Sequence, residues 1–139
     1  MTFRYLNNTD IVFGRGAVDS LENALRRTGA TSVLLVSSGD YVEDLGIRDR
    51  VRDATAAVGA RFSENRDAVP NPRVDLVRTL VGHARHDGVD LVIGAGGASS
   101  FDTAKAIAVG VPSAGDVWDL LTGTSFERRL AVVVIATLA

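Results

Sequence analysis

The stretch VDLVIGAGGASSFDTAKAIAVG, residues 89–110, decides how the chain is read. Its first half, VDLVIGAG, is a short apolar run of the kind shown by a strand buried on both faces. Its second half, SFDTAKAIAVG, reads as a helix, and Gly94, Gly96 and Gly97 stand at the junction. Without Cβ atoms the backbone turns tightly there and can approach a bulky anion. Ser99 is placed to cap the helix, whose unpaired first amides and positive dipole end suit a phosphate. The same residues also fit a plainer role, a glycine-rich strand–helix connection in which Ser99-x-x-Asp102 is a capping box. As a G-x-G-x-x-G fingerprint the match is incomplete. Ser99 stands where the third glycine belongs, and the turn comes several strands into the chain.

Upstream, the same alternation repeats. DSLENALRRTG carries Leu21 and Leu25 at helical spacing, with Asp19-x-x-Glu22 resembling a capping box and Gly29 as a stop. SVLLVSS is another buried-strand run, and IRDRVRDATAAVG is a helix with Val51, Ala54 and Val58 on one face. ARFSEN is a weaker strand. NPRVDLVRTLVGHARHDG is a marked helix, with Asn71 placed to cap, Pro72 suited to the first helical position, and Val74, Val77, Leu80 and Val81 as the buried stripe. DVWDLL is a short helical turn in which Trp118 is expected to anchor packing, and AVVVIATLA is a last strand. Ahead of all this, residues 4–6 and 10–14 flank NNTD and read as a hairpin or edge strands. Strands alternating with helices of this length imply a doubly wound, mostly parallel α/β sheet of the Rossmann-like kind. In such sheets ligands bind beyond the carboxyl ends of the strands.

Bulk properties narrow the function classes. At 139 residues the chain is one domain's worth, and a net charge of −2 with no run of like charges gives nucleic acid little to bind. There is no cysteine, hence no disulfide and no thiolate metal site. The first residues, MTFRYLNNTD, lack an apolar leader core, and no apolar run reaches the roughly 20 residues of a membrane span. A cytoplasmic protein without membrane or nucleic-acid partners is the expectation.

The longer pattern GGASSFDTAKAIA resembles the G-G-G-S-x-x-D-x-x-K signature of the iron-dependent alcohol dehydrogenase family. VFGRGAV, VPNP, GVDLVIGAGG and the final apolar strand ending in Thr fall in the order the family shows, and GDVWDLLTG with VVVIATLA looks most like its butanol-dehydrogenase branch. The resemblance implies an N-terminal nucleotide-binding domain from an enzyme that moves hydride between NAD(P)(H) and a primary alcohol or aldehyde. In such enzymes a helical second domain holds iron or zinc through one Asp and three His. Here the chain stops at Ala139, where that comparison leads one to expect a domain truncated at its C-terminal end, inactive by itself. His83 and His86 match none of the family's metal ligands and read as helix-surface residues.

By the same resemblance Gly96, Gly97, Ala98, Ser99 and Asp102 surround the pyrophosphate and the nicotinamide end, with Ala98 in place of the usual third glycine. Asp102 also fits a dipole-stabilising role, and Lys105, three residues on, a salt bridge to it. Asn71 corresponds to a cofactor contact, and Thr137 and Leu138 to positions lining the nucleotide site. Ser38 stands where the family often carries Asp. A carboxylate there would bind the adenosine ribose and repel a 2′-phosphate, so its absence implies NADP(H) in preference to NAD(H), unless the alignment slips to Asp40. The family also implies a homodimer. The alternatives are a non-catalytic nucleotide-binding or interaction module, and a relative of the glycerol dehydrogenase kind.

Overall fold

Ser32–Ser37 (β1) and Leu91–Gly96 (β3) are buried at every position, as continuous apolar runs require. The computed structural model describes residues 2–4, 8–38 and 40–137. It pairs these two strands in parallel, from Val33 opposite Leu91 to Ser37 opposite Ala95. Arg61–Asn65 (β2) runs parallel on the other side of β1, and Ala131–Ala136 (β4) parallel beyond β3. The order is β2-β1-β3-β4.

The helices are Leu21–Thr28 (α1), Tyr41–Asp44 (α2), Ile47–Ala57 (α3), Val74–His86 (α4), Ala98–Gly110 (α5) and Val117–Leu121 (α6). Because strand side chains alternate, Val33, Leu35, Leu91 and Ile93 pack with Leu21, Leu25, Ile47 and Val51 of α1 and α3. On the opposite face Leu34, Val36 and Val92 pack with Val77, Leu80 and Val81 of α4, Ala104 and Ile107 of α5, and Val117 of α6. Each large side chain buried in these layers contributes about 1.5–3 kcal/mol. The chain thus crosses from β1 to β2 over one face and from β2 to β3 over the other, reversing its direction of winding between β1 and β3. This is the doubly wound, Rossmann-like α/β architecture read from the sequence. The gap between the carboxyl ends of β1 and β3 is its topological switch point.

Several local expectations are corrected. Residues 10–14 form no strand: among the described residues no strand pairs with them, and Phe13 is 99% exposed. Residues 5 and 6 of the expected hairpin lie outside the described residues. Asp19 does not cap α1; its carboxylate meets Arg50 instead, and a 3₁₀ turn, Ala17–Ser20, leads into the helix. Gly29 does close that helix, in the left-handed conformation at φ 68°. Asn71 does not cap α4 either. It adopts a left-handed φ of 61°, which Asn tolerates, and the loop turns there so that the helix starts only at Val74, after Arg73. Ser99 lies inside α5, whose cap position is Gly97, so the expected capping box is not formed. In α6 the buried anchor is Val117, while Trp118 is 51% exposed; Asp116 caps this turn, accepting from the Trp118 amide at 2.7 Å. Among the described residues no helix is long and apolar enough to cross a membrane.

Candidate functional site

Close packing of α5 on β3 builds one wall of the switch point. A Cβ placed on Gly94 would lie 3.0 Å from the Ser100 carbonyl oxygen and 3.1 Å from the Ala104 Cβ, so only glycine lets the helix descend this far. Gly96 then leaves the strand at φ 129°, a conformation L side chains rarely adopt, and Gly97 opens the helix in extended geometry. The amides of Ser100 and Phe101 donate to the Gly97 carbonyl, whereas those of Ala98 and Ser99 come too early in the helix for a helical acceptor. Amides left this way at the positive end of a 13-residue helix have the chemistry to receive an anion.

The facing wall comes from β1. Ser38 follows the strand directly, and its Oγ lies 3.1 Å from the Oγ of fully buried Ser100, tying the two strand exits together. The loop after β2 folds over the same exit. The Ala68 amide donates to the Ser37 carbonyl at 3.3 Å, and Ser38 forms an antiparallel bridge with Asp67. On the β4 side the Thr137 amide donates to the Gly96 carbonyl at 3.1 Å. Its Oγ1 is buried with no hydrogen-bond partner, the one such side-chain atom among the described residues. A buried hydroxyl without a partner costs about 1–3 kcal/mol, so a site that offers one is incomplete until something else supplies the bond.

Of the residues singled out in the sequence, Ser38, Gly96, Gly97 and Thr137 come together at this opening. Ala98 and Ser99 form the first turn of α5, Ala98 exposed and Ser99 half-buried. Asp102 lies one turn further along, exposed, with the Lys105 ammonium 3.4 Å from its Oδ1. Asn71 sits exposed in the left-handed turn before α4. Leu138 lies outside the described residues. Ser100 was not singled out: the doublet Ser99–Ser100 is visible in the sequence, but the capping reading drew attention to the wrong serine.

The two shifted ion pairs lie away from this opening. Arg48 donates to Glu64 through two nitrogens at 2.6 and 2.7 Å, and this hydrogen-bonded guanidinium holds the Glu64 carboxyl below its usual range. Arg78 does the same for Asp116, helped by the Trp118 amide. His83 and His86 are exposed on α4, with His86 Nδ1 2.8 Å from Asp87. Among the described residues no three His, Cys, Asp or Glu side chains converge as a metal centre. These residues therefore do not fit a bound iron or zinc.

The model of the family described as iron-containing alcohol dehydrogenase matches residues 8–139. The chain belongs to that family. It is 38% identical over 120 residues to the probable NADH-dependent butanol dehydrogenase 1 of Bacillus subtilis, covering 86% of this chain and 31% of that protein. With NADH-dependent butanol dehydrogenase A of Clostridium acetobutylicum it shares 33% identity over 140 residues, 100% of this chain and 36% of the other. The crystal structure of NADH-dependent butanol dehydrogenase A from Thermotoga maritima superposes with a TM-score of 0.91 at 32% identity, over 99% of this chain and 35% of that one. This iron-containing alcohol dehydrogenase chain thus spans about a third of the length of these relatives.

Proposed function

We propose that residues 1–139 form one dinucleotide-binding domain of an NAD(P)-linked alcohol dehydrogenase or aldehyde reductase acting on primary alcohols or aldehydes. One observation carries the reading: at the switch point of the sheet, a glycine-opened helix start whose first amides have no helical acceptor lies beside Ser38 and Thr137, whose hydroxyl has no partner among the described residues. The dinucleotide, when bound, supplies the hydride-carrying ring. The domain's own residues hold and orient it. The amides of Ala98 and Ser99 receive the pyrophosphate beside Gly96 and Gly97, and the Ala98 methyl limits how closely the backbone approaches. Thr137 closes the β4 side, and Asn71 and Asp102 serve as outer polar contacts; Leu138, outside the described residues, stays a cofactor contact by family resemblance alone.

Because no metal-binding cluster forms among the described residues, residues 1–139 are expected to bind cofactor without turning over alcohol. A homodimer and a cytoplasmic setting are carried as further parts of this reading, supported by the family relationship alone. The choice of dinucleotide is finely placed. Ser38 taken alone leaves room for a 2′-phosphate and supports NADP(H), while the relatives above are NADH-dependent by name.

The test is an equilibrium titration of the purified chain with NADH and NADPH, followed by the fluorescence of the reduced ring. Saturable one-site binding is expected. A pure interaction module would show none.

A further inference from the structure

We infer that Asp67, on the loop after β2, is the residue that discriminates between dinucleotides, and that its carboxylate makes this chain prefer NADH although Ser38 carries no charge. The inference rests on the dinucleotide reading and deepens it. Residue 38 directly follows β1, where an acid would meet the adenosine ribose. Asp67 is its antiparallel bridge partner. Side chains of directly opposed antiparallel residues project from the same face with Cβ atoms about 5 Å apart. A carboxylate rooted at 67 therefore presents its charge to the volume that a carboxylate at 38 would occupy, from the neighbouring segment rather than from β1 itself.

The loop holds that carboxylate in place. The Asn65 side chain donates to Asp67 Oδ2 at 2.9 Å and accepts from the Asp67 amide at 3.1 Å, while buried Ala68 pins the next residue to Ser37. Asp67 Oδ1 has no partner among the described residues, and the residue is exposed, so one oxygen is available to ribose hydroxyls. The nearest basic residue in sequence does not offset the charge. Arg66 donates to Asp40 at 3.1 Å and to Glu43 at 2.7 Å, so its guanidinium already serves two carboxylates. With Arg66 engaged by Asp40 and Glu43, the exposed Asp67 carboxylate keeps its charge for the ligand, attracting hydroxyl donors and repelling a phosphomonoester.

The experiment is a set of equilibrium titrations of the 139-residue chain and its variants with NADH and NADPH at low salt, read by cofactor fluorescence. The unsubstituted chain is expected to bind NADH more tightly. Asp67→Asn keeps the Asn65 turn but removes the charge, and should move the NADPH/NADH affinity ratio about tenfold toward NADPH. Asp67→Glu, which keeps the charge, should hold the ratio near its original value. A tighter NADPH complex in the unsubstituted chain, or a ratio unchanged by Asp67→Asn, overturns the assignment of Asp67 and leaves dinucleotide binding standing. Saturable binding of neither cofactor overturns both.

Discussion

At the amino ends of β1 and β3 the Asp90 carboxylate accepts from the amides of Thr31 and Ser32 and, at 2.6 Å, from the Thr31 hydroxyl. The Asp90 amide returns a bond to the Ser32 carbonyl, and Ser32 Oγ donates to the carbonyl of Asp87. At the carboxyl ends of the same strands Thr137 Oγ1 has no partner among the described residues, and the first amides of α5 have no helical acceptor. The two ends are equally rich in polar groups and differ in whether those groups satisfy one another. A closed network stabilises the fold; an unfinished one is what the proposed dinucleotide would complete. Substitutions at the first should therefore act on stability alone, and substitutions at the second on binding.

Asp90→Ala should have the largest effect. It strands the donors of Thr31 and Ser32, and we expect a loss of about 2–3 kcal/mol in urea unfolding, with dinucleotide affinity of the folded protein unchanged. A comparable loss of affinity would erase the distinction between the ends. Gly94→Ala should come next and cross the boundary. The added methyl meets α5 backbone at 3.0–3.2 Å, so a loss of about 1–2 kcal/mol from overpacking is expected together with weaker binding, because the seat of α5 moves. Ser100→Ala removes the tether to Ser38. Its expected signature is several-fold weaker dinucleotide binding with a stability change within about 1 kcal/mol.

The smallest effect belongs to a residue at neither end. Glu64 is held below its ordinary titration range by Arg48, so the stability it adds is present above its unfolded-state pKa and disappears as pH falls through the lower folded value. Glu64→Gln should flatten that part of the acid-unfolding curve by well under 1 kcal/mol while leaving the dinucleotide titration unchanged. An acid limb identical in both proteins would remove this ion pair from the account.

What the sequence made legible was local and periodic. β1 and β3 announce themselves as apolar runs, α1, α3 and α4 as spaced stripes, and the glycines at 94, 96 and 97 as a turn, because each depends on neighbours within a few residues. The helix starts were misread for the same reason: Ser99 and Asn71 have capping chemistry, but tertiary packing set the starts of α5 and α4 at Ala98 and Val74. Asp90 closing the start of β1, Ser100 reaching Ser38 and Asp67 crossing to β1 span 29 to 62 residues of chain. No periodicity encodes such pairings, and they appear only once the strand order is known.

The central claim is that the open end of the β1–β3 pair, and not its closed end, holds a nicotinamide dinucleotide. Amide chemical shifts of the chain, followed through an NADH titration, test it most directly. The account predicts saturable shifts at residues 38, 67, 96–100 and 137, with Thr31, Ser32 and Asp90 unmoved. Shifts confined to the Asp90 end, or none at either end, would contradict it.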